Sequence, residues 1–116
     1  MRKAAALLSL TASLVAASHD DEYTRFAVLM RALGYTWEPL EVHTEDGYIL
    51  TTFHVTGNVN SGPFEPTMPP VLINHGDYDD GTGWLTANSS YARQHPFHLQ
   101  LADAGYDVFI ANNRGT

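Results

Sequence analysis

There is no cysteine among the 116 residues. That excludes a disulfide framework and thiolate metal sites, so the chain must be held by core packing alone. Positive charge is also scarce. Lys and Arg together number 6 against 13 acidic residues, for a net charge of −7. A nucleic-acid surface needs the opposite sign to release counterions from phosphates, which excludes nucleic acid as a partner. An anionic membrane surface is disfavoured on the same ground. Beyond the N-terminus there is no long apolar run, so no later segment is expected to cross a membrane.

What is present begins with a leader. Met1-Arg2-Lys3 is a short positive segment, Ala4 to Val15 is apolar apart from Ser and Thr, and Ala16, Ala17 and Ser18 are small. This pattern predicts a secretory signal peptide over residues 1–18. A run of about 14 apolar residues is too short for a hydrocarbon core that needs about 20. Its removal takes Arg2 and Lys3 with it, leaving Arg25, Arg31, Arg93 and Arg114 as the only strong bases. The remainder, residues 19–116, has room for one domain. Its acidity is compatible with work in an acidic compartment, where carboxylates and the six histidines take up protons.

Periodicity then sets out the elements. Phe26, Leu29, Met30 and Leu33 recur at helical spacing. Asp20 or Asp21 is suited to cap that helix, with Arg31 in its last turn and Gly34 to end it. Leu40–His43 and Tyr48–Val55 are rich in strand formers, and Glu45-Asp46-Gly47 between them is a turn signal, which predicts a β-hairpin. Residues 57–70 hold repeated Gly and Pro and read as a loop. Val71-Leu72-Ile73 is wholly apolar, which predicts a strand buried on both faces, as in a parallel sheet. Asp77–Ser90 reads as a polar surface loop. Pro96 suits the first turn of a second helix, with Phe97, Leu101 and Ala104 along one face and Gly105 as its stop. Tyr106–Ala111 is the next strand. Strand, helix and strand form a βαβ unit, so the class is α/β.

Several of these segments together resemble a known family. TEDGYIL over 44–50, the apolar strand running into Asn74-His75-Gly76, Trp84, LADAGYDV over 101–108 and Asn113-Arg114-Gly115 are similar to the entry region of the acid lipases, the gastric and lysosomal group. The resemblance covers about residues 23–116. It implies an N-terminal fragment of an α/β-hydrolase fold (entry helix, hairpin, βαβ unit), a neutral lipid ester substrate such as a triacylglycerol or steryl ester, and no cofactor. It implies secretion or delivery to the lysosomal or endosomal lumen, and possible interfacial contact with lipid. In the complete enzyme a Ser-His-Asp triad attacks the ester.

The same resemblance implies that His75 and Gly76 form a loop supplying half of an oxyanion hole. The donor would be the backbone N–H of Asp77, with Gly76 letting the backbone approach the ligand closely and His75 holding the loop. The family commonly has an apolar residue where Asp77 stands, and a carboxylate beside a developing oxyanion repels it unless the side chain points into solvent. No Gly-x-Ser-x-Gly occurs. The serines stand at 9, 13, 18, 61, 89 and 90, none on a strand-to-helix elbow. By the family's chain order nucleophile, acid and base all follow the last strand seen here, so this chain alone is expected to be inactive. A secreted, non-catalytic module that binds lipid or a partner chain is the alternative.

Other candidates have plainer readings. His95 and His98 are three apart, but two ligands do not make a zinc site. Asp77–Gly81 faintly resembles a calcium loop, yet its glycine is one place early and Asn88 stands where a bidentate Glu is required. No metal is expected. Asn88-Ser89-Ser90 is a glycosylation sequon, expected to be modified in a secreted protein. Trp84 is expected to be an anchor, and residues 112–115 a turn at the sheet edge.

Overall fold

The computed structural model describes residues 23–77, 79–85 and 95–116. The segment expected to be a signal peptide, the Asp20 and Asp21 caps and the Asn88 sequon lie outside these residues.

Helix α1 spans Thr24–Leu33. Its N-cap is Tyr23, without a side-chain hydrogen bond, in place of an aspartate. The predicted stripe is buried at Phe26 and Met30 and joined by Ala27, while Leu29 and Leu33 lie half-buried at its margin. Gly34 ends the helix at φ +83°, donating its N–H towards the Met30 and Arg31 carbonyls. Only a residue without a Cβ adopts that left-handed stop cheaply.

Strands β1 (Tyr35–His43) and β2 (Ile49–Asn58) form the hairpin, paired antiparallel from Tyr35↔Asn58 to His43↔Ile49. Gly47 takes φ +90° in the turn. Both strands run further than strand propensity alone predicted. β2 enters the expected 57–70 loop and pairs with the two-residue β3 (Gly62–Pro63), so that region opens with a tight hairpin. Strand β4 is Pro70–Ile73 and β5 is Asp107–Ala111; they pair in parallel. Helix α2, Phe97–Asp103, connects them. The sheet order is β1-β2-β5-β4, with β3 appended to β2.

The core lies on one face. Phe53, Val55, Val108 and Ile110 point to it from the sheet, and Phe26, Met30, Leu99 and Ala102 cover them from the helices. Phe26 stacks on Phe53 at 3.8 Å between ring centres, and Trp37 meets both rings edge-on. Burying a side chain of this size contributes roughly 1.5–3 kcal/mol.

Two expectations are corrected here. β4 is not buried on both faces, since Leu72 is 65% exposed while Ile73 is buried. β4 stands at the edge of this sheet, and among the described residues both helices pack on one face of it. The buried stripe of α2 is His98, Leu99 and Ala102; Phe97 and Ala104 are exposed and Leu101 is half-buried. Periodicity in a seven-residue helix fits more than one face, and packing against β5 and β2 decided between them.

The other sheet face is polar and organised. Strand alternation puts His54 opposite Phe53 and Val55. Its Nδ1 lies 2.9 Å from Glu38 on β1 and its Nε2 2.7 Å from Asp107 on β5. The ring stacks on Phe109 at 4.5 Å. Burial pulls the His54 pKa down, but the Glu38 and Asp107 hydrogen bonds outweigh it and leave the pKa raised. At the far end of the sheet, the buried Tyr35 hydroxyl donates to Asp103 and lies 2.7 Å from His95 Nδ1, fastening α2 and its lead-in to β1. Burial, then the Asp103 carboxylate, raises the phenol's pKa.

Candidate active site

Parallel strands β4 and β5 end side by side, and the start of antiparallel β2 lies at the same edge. In open α/β sheets the carboxyl ends of the strands are where ligands bind. The loop Asn74-His75-Gly76-Asp77 leaves β4 there. His75 is buried, whereas Asn74, Gly76 and Asp77 are exposed. His75 Nδ1 lies 2.8 Å from the Gly76 carbonyl, and its Nε2 accepts the Asn113 backbone N–H at 3.0 Å. A Cβ built on Gly76 would meet nothing within 4 Å, so the space above it is open.

The two asparagines after β5 tie this edge together. Asn112 Oδ1 accepts the Gly81 N–H at 2.7 Å, and its Nδ2 donates to the Thr51 carbonyl on β2 at 3.1 Å. Asn113 Nδ2 reaches the His75 carbonyl at 3.4 Å. The sequence alone predicts a turn shaping the sheet edge over residues 112–115. These side chains instead hold three segments in register. The available signal was two consecutive amides at the end of a buried strand, each able to donate and accept.

The acidic loop is self-satisfied. Asp79 accepts the Asp80 N–H at 2.8 Å. Asp80 accepts the Thr82 N–H at 2.7 Å and the Thr82 hydroxyl, starting a short 3₁₀ helix over Gly83–Leu85. The Thr82 hydrogen bond lowers the Asp80 pKa, with burial opposing it. Among the described residues no three His, Cys, Asp or Glu side chains gather as metal ligands. His95 and His98 do not converge. His95 faces Tyr35, whereas His98 is fully buried, and among the described residues neither of its ring nitrogens has a hydrogen-bond partner. Burial alone lowers the His98 pKa to about 4. Trp84 is an anchor, packed edge-on to Phe97 and His98.

A cleft of about 390 Å³ opens beside the loop. Phe26 and Phe53 contribute apolar lining, Tyr48, Ile49 and Arg114 line the β2 and β5 sides, and Asn113 is shared with the loop. His75, Gly76 and Asp77 do not line it. Arg114 lies 4.3 Å over the Tyr48 ring and 2.6 Å from Asp46. The Asp46 pKa is lowered by Thr44 first and Arg114 second. Among the described residues no helix is long and apolar enough to cross a membrane.

Comparison with known proteins agrees with this architecture. The family described as the partial alpha/beta-hydrolase lipase region matches residues 26–88. Human gastric triacylglycerol lipase is 42% identical over 85 residues, covering 71% of this chain and 20% of the relative. Mouse lipase member M is 32% identical over 99 residues, covering 85% of this chain and 22% of the relative. A tear acid lipase-like protein of Mesocricetus auratus is 34% identical over 104 residues, with 85% and 24% covered. The chain thus spans roughly a fifth of the length of these relatives. With its mixed sheet, its parallel β4–α2–β5 unit and this match over more than half of its length, the chain belongs to the alpha/beta-hydrolase lipase family.

Proposed function

We propose that this chain is the N-terminal part, residues 19–116 behind a signal peptide over 1–18, of a secreted or lysosomal acid-lipase-like hydrolase of neutral lipid esters. Its contribution to the chemistry is one backbone donor, the Asp77 N–H, in the loop of His75 and Gly76. Acyl transfer builds negative charge on the carbonyl oxygen, and each well-placed donor lowers the barrier by about 3–4 kcal/mol. The second donor conventionally follows the nucleophile, and no serine of this chain sits on a suitable elbow. One observation carries the reading: a His-Gly-Asp loop, buried at His75 and exposed at Gly76 and Asp77, leaves a parallel strand beside the carboxyl end of its neighbour, with open space over the glycine. Exposure of Asp77 supports a carboxylate turned to solvent, away from the developing charge. With the carboxylate in solvent and the donor a backbone N–H, Asp77→Leu in a hydrolase carrying this segment should change kcat little.

Two measurements test the reading. Purified residues 19–116 should show no turnover of a chromogenic fatty-acyl ester, and repeated turnover would overturn it. The transcript beyond codon 116 should encode Gly-x-Ser-x-Gly, then Asp and His. A genuine stop codon there would favour a second reading, a non-catalytic secreted module that binds lipid or a partner chain. Exposed Leu72, Ile49 and Tyr48 support that alternative, since apolar surface on a sheet face and edge favours contact.

A further inference from the structure

We propose that Asn113 and His75 form a positioning relay that sets the direction of the Asp77 amide. The inference rests on the oxyanion reading of the loop and adds to it the residues that do the aiming. It begins with what each partner is able to do. The Asn113 backbone N–H only donates, so His75 Nε2, 3.0 Å away, must present a lone pair. The Gly76 carbonyl only accepts, so Nδ1, 2.8 Å away, must carry the hydrogen. Both contacts select the same neutral tautomer. It is the less common form of free imidazole, so its presence is diagnostic. His75 is 8% exposed, which limits competition from water.

The Gly76 carbonyl and the Asp77 N–H belong to one planar peptide unit, and no peptide bond in the described chain is cis. In a trans peptide the C=O and N–H bonds point in opposite directions. Holding the oxygen against the buried imidazole therefore turns the Asp77 hydrogen away from it, towards the exposed side of the loop. Gly76 and Asp77 are both exposed, and a Cβ built on Gly76 would meet nothing within 4 Å. Asn113 is itself held in place, because Asn112 binds Thr51 and Gly81 on either side. The end of β5 thus orients an amide in the loop after β4, 36 residues earlier in the chain by number. His75, with both nitrogens engaged, is a positioning residue and not a base.

The test is nuclear magnetic resonance on the ¹³C,¹⁵N-labelled chain, reading the His75 tautomer from long-range ¹H–¹⁵N correlations. A hydrogen on Nδ1 is expected; a hydrogen on Nε2 would overturn the relay, and this result needs no variant to fold. Two substitutions then separate the contacts. The amide of His75→Asn stands near imidazole Nδ1 and can still donate to Gly76. The amide of His75→Gln reaches the Nε2 position and can only serve Asn113. The Gly76 carbonyl and Asp77 amide shifts should stay near their original values in H75N and move in H75Q. Equal displacement in both would overturn the proposal. In an active relative carrying residues 23–116 of this chain, H75Q should lower kcat about 100-fold, the effect of losing one oxyanion donor, with KM little changed and partial recovery in H75N. A locked tautomer with kcat unchanged in H75Q would keep the aimed amide and remove its catalytic assignment, so the two readings fail separately.

Discussion

The two faces of the sheet are built from the same strands and obey different physics. On one, Val108, Ile110, Phe53 and Val55 vanish under α1 and α2. On the other, Asp107, Phe109, His54 and Glu38 form a hydrogen-bonded, stacked row linking three strands. Each face also holds one histidine with a perturbed pKa, and the two are shifted in opposite directions. His98 sits in the apolar layer with no hydrogen-bond partner among the described residues, and its pKa falls. His54 sits between two carboxylates, and its pKa rises despite partial burial. Imidazole charge here is decided by hydrogen-bonding carboxylates on one face and by burial without them on the other.

The difference can be broken by substitution. Phe26→Ala removes a fully buried ring stacked on Phe53 and should cost about 3–5 kcal/mol in chemical denaturation. The matching change on the polar face, Leu72→Ala, should stay within about 0.5 kcal/mol, because that side chain is mostly in water already. Equal costs would mean that the two faces are not energetically distinct.

A second test addresses packing at the hairpin. A Cβ on Gly57 would come within 2.7 Å of Thr36 Oγ1 and 2.8 Å of the Gly62 carbonyl, beside the register shift between Thr36 and Trp37. Backbone is hard to displace, so Gly57→Ala should destabilise by about 1–3 kcal/mol. Gly76→Ala, with open space around it, should leave the melting temperature unchanged.

The histidines sharpen the comparison through pH. The folded state holds His98 to a pKa of about 4, below the ordinary 6.5. Its contribution to stability is therefore whole above about pH 6.5 and is lost as pH falls towards 4. His98→Leu should flatten the fall in melting temperature over that window. The smallest effect is expected at His54. Its raised pKa means that the clasp contributes fully below the unfolded value and fades as pH rises through the folded one. His54→Gln should remove that dependence, at a cost below about 1 kcal/mol since the Glu38 and Asp107 partners are partly exposed.

Much of the fold was legible in the chain. Spacing located α1, Asp46-Gly47 located the hairpin, and the apolar run located β4. The His-Gly dipeptide marked the loop worth watching. The misjudged points share one cause. A seven-residue helix and a four-residue strand carry too few positions to announce which side is covered. The ties made by Asn113 to His75, 38 residues apart, and by His54 to Asp107, 53 apart, exist only because β5 inserts between β2 and β4.

Local rules of turn chemistry and side-chain period therefore determined, from sequence alone, the helices and strands, because each acts over a few neighbouring residues; the family likeness rested on the motifs over 44–50, 74–76 and 101–108. Strand order decided the rest. It set which face of α2 is buried, stripped His98 of partners, gave His54 two, and brought the asparagines after β5 against the loop after β4. Hydrogen bonds and desolvation act through space, and that space exists only once the sheet has formed.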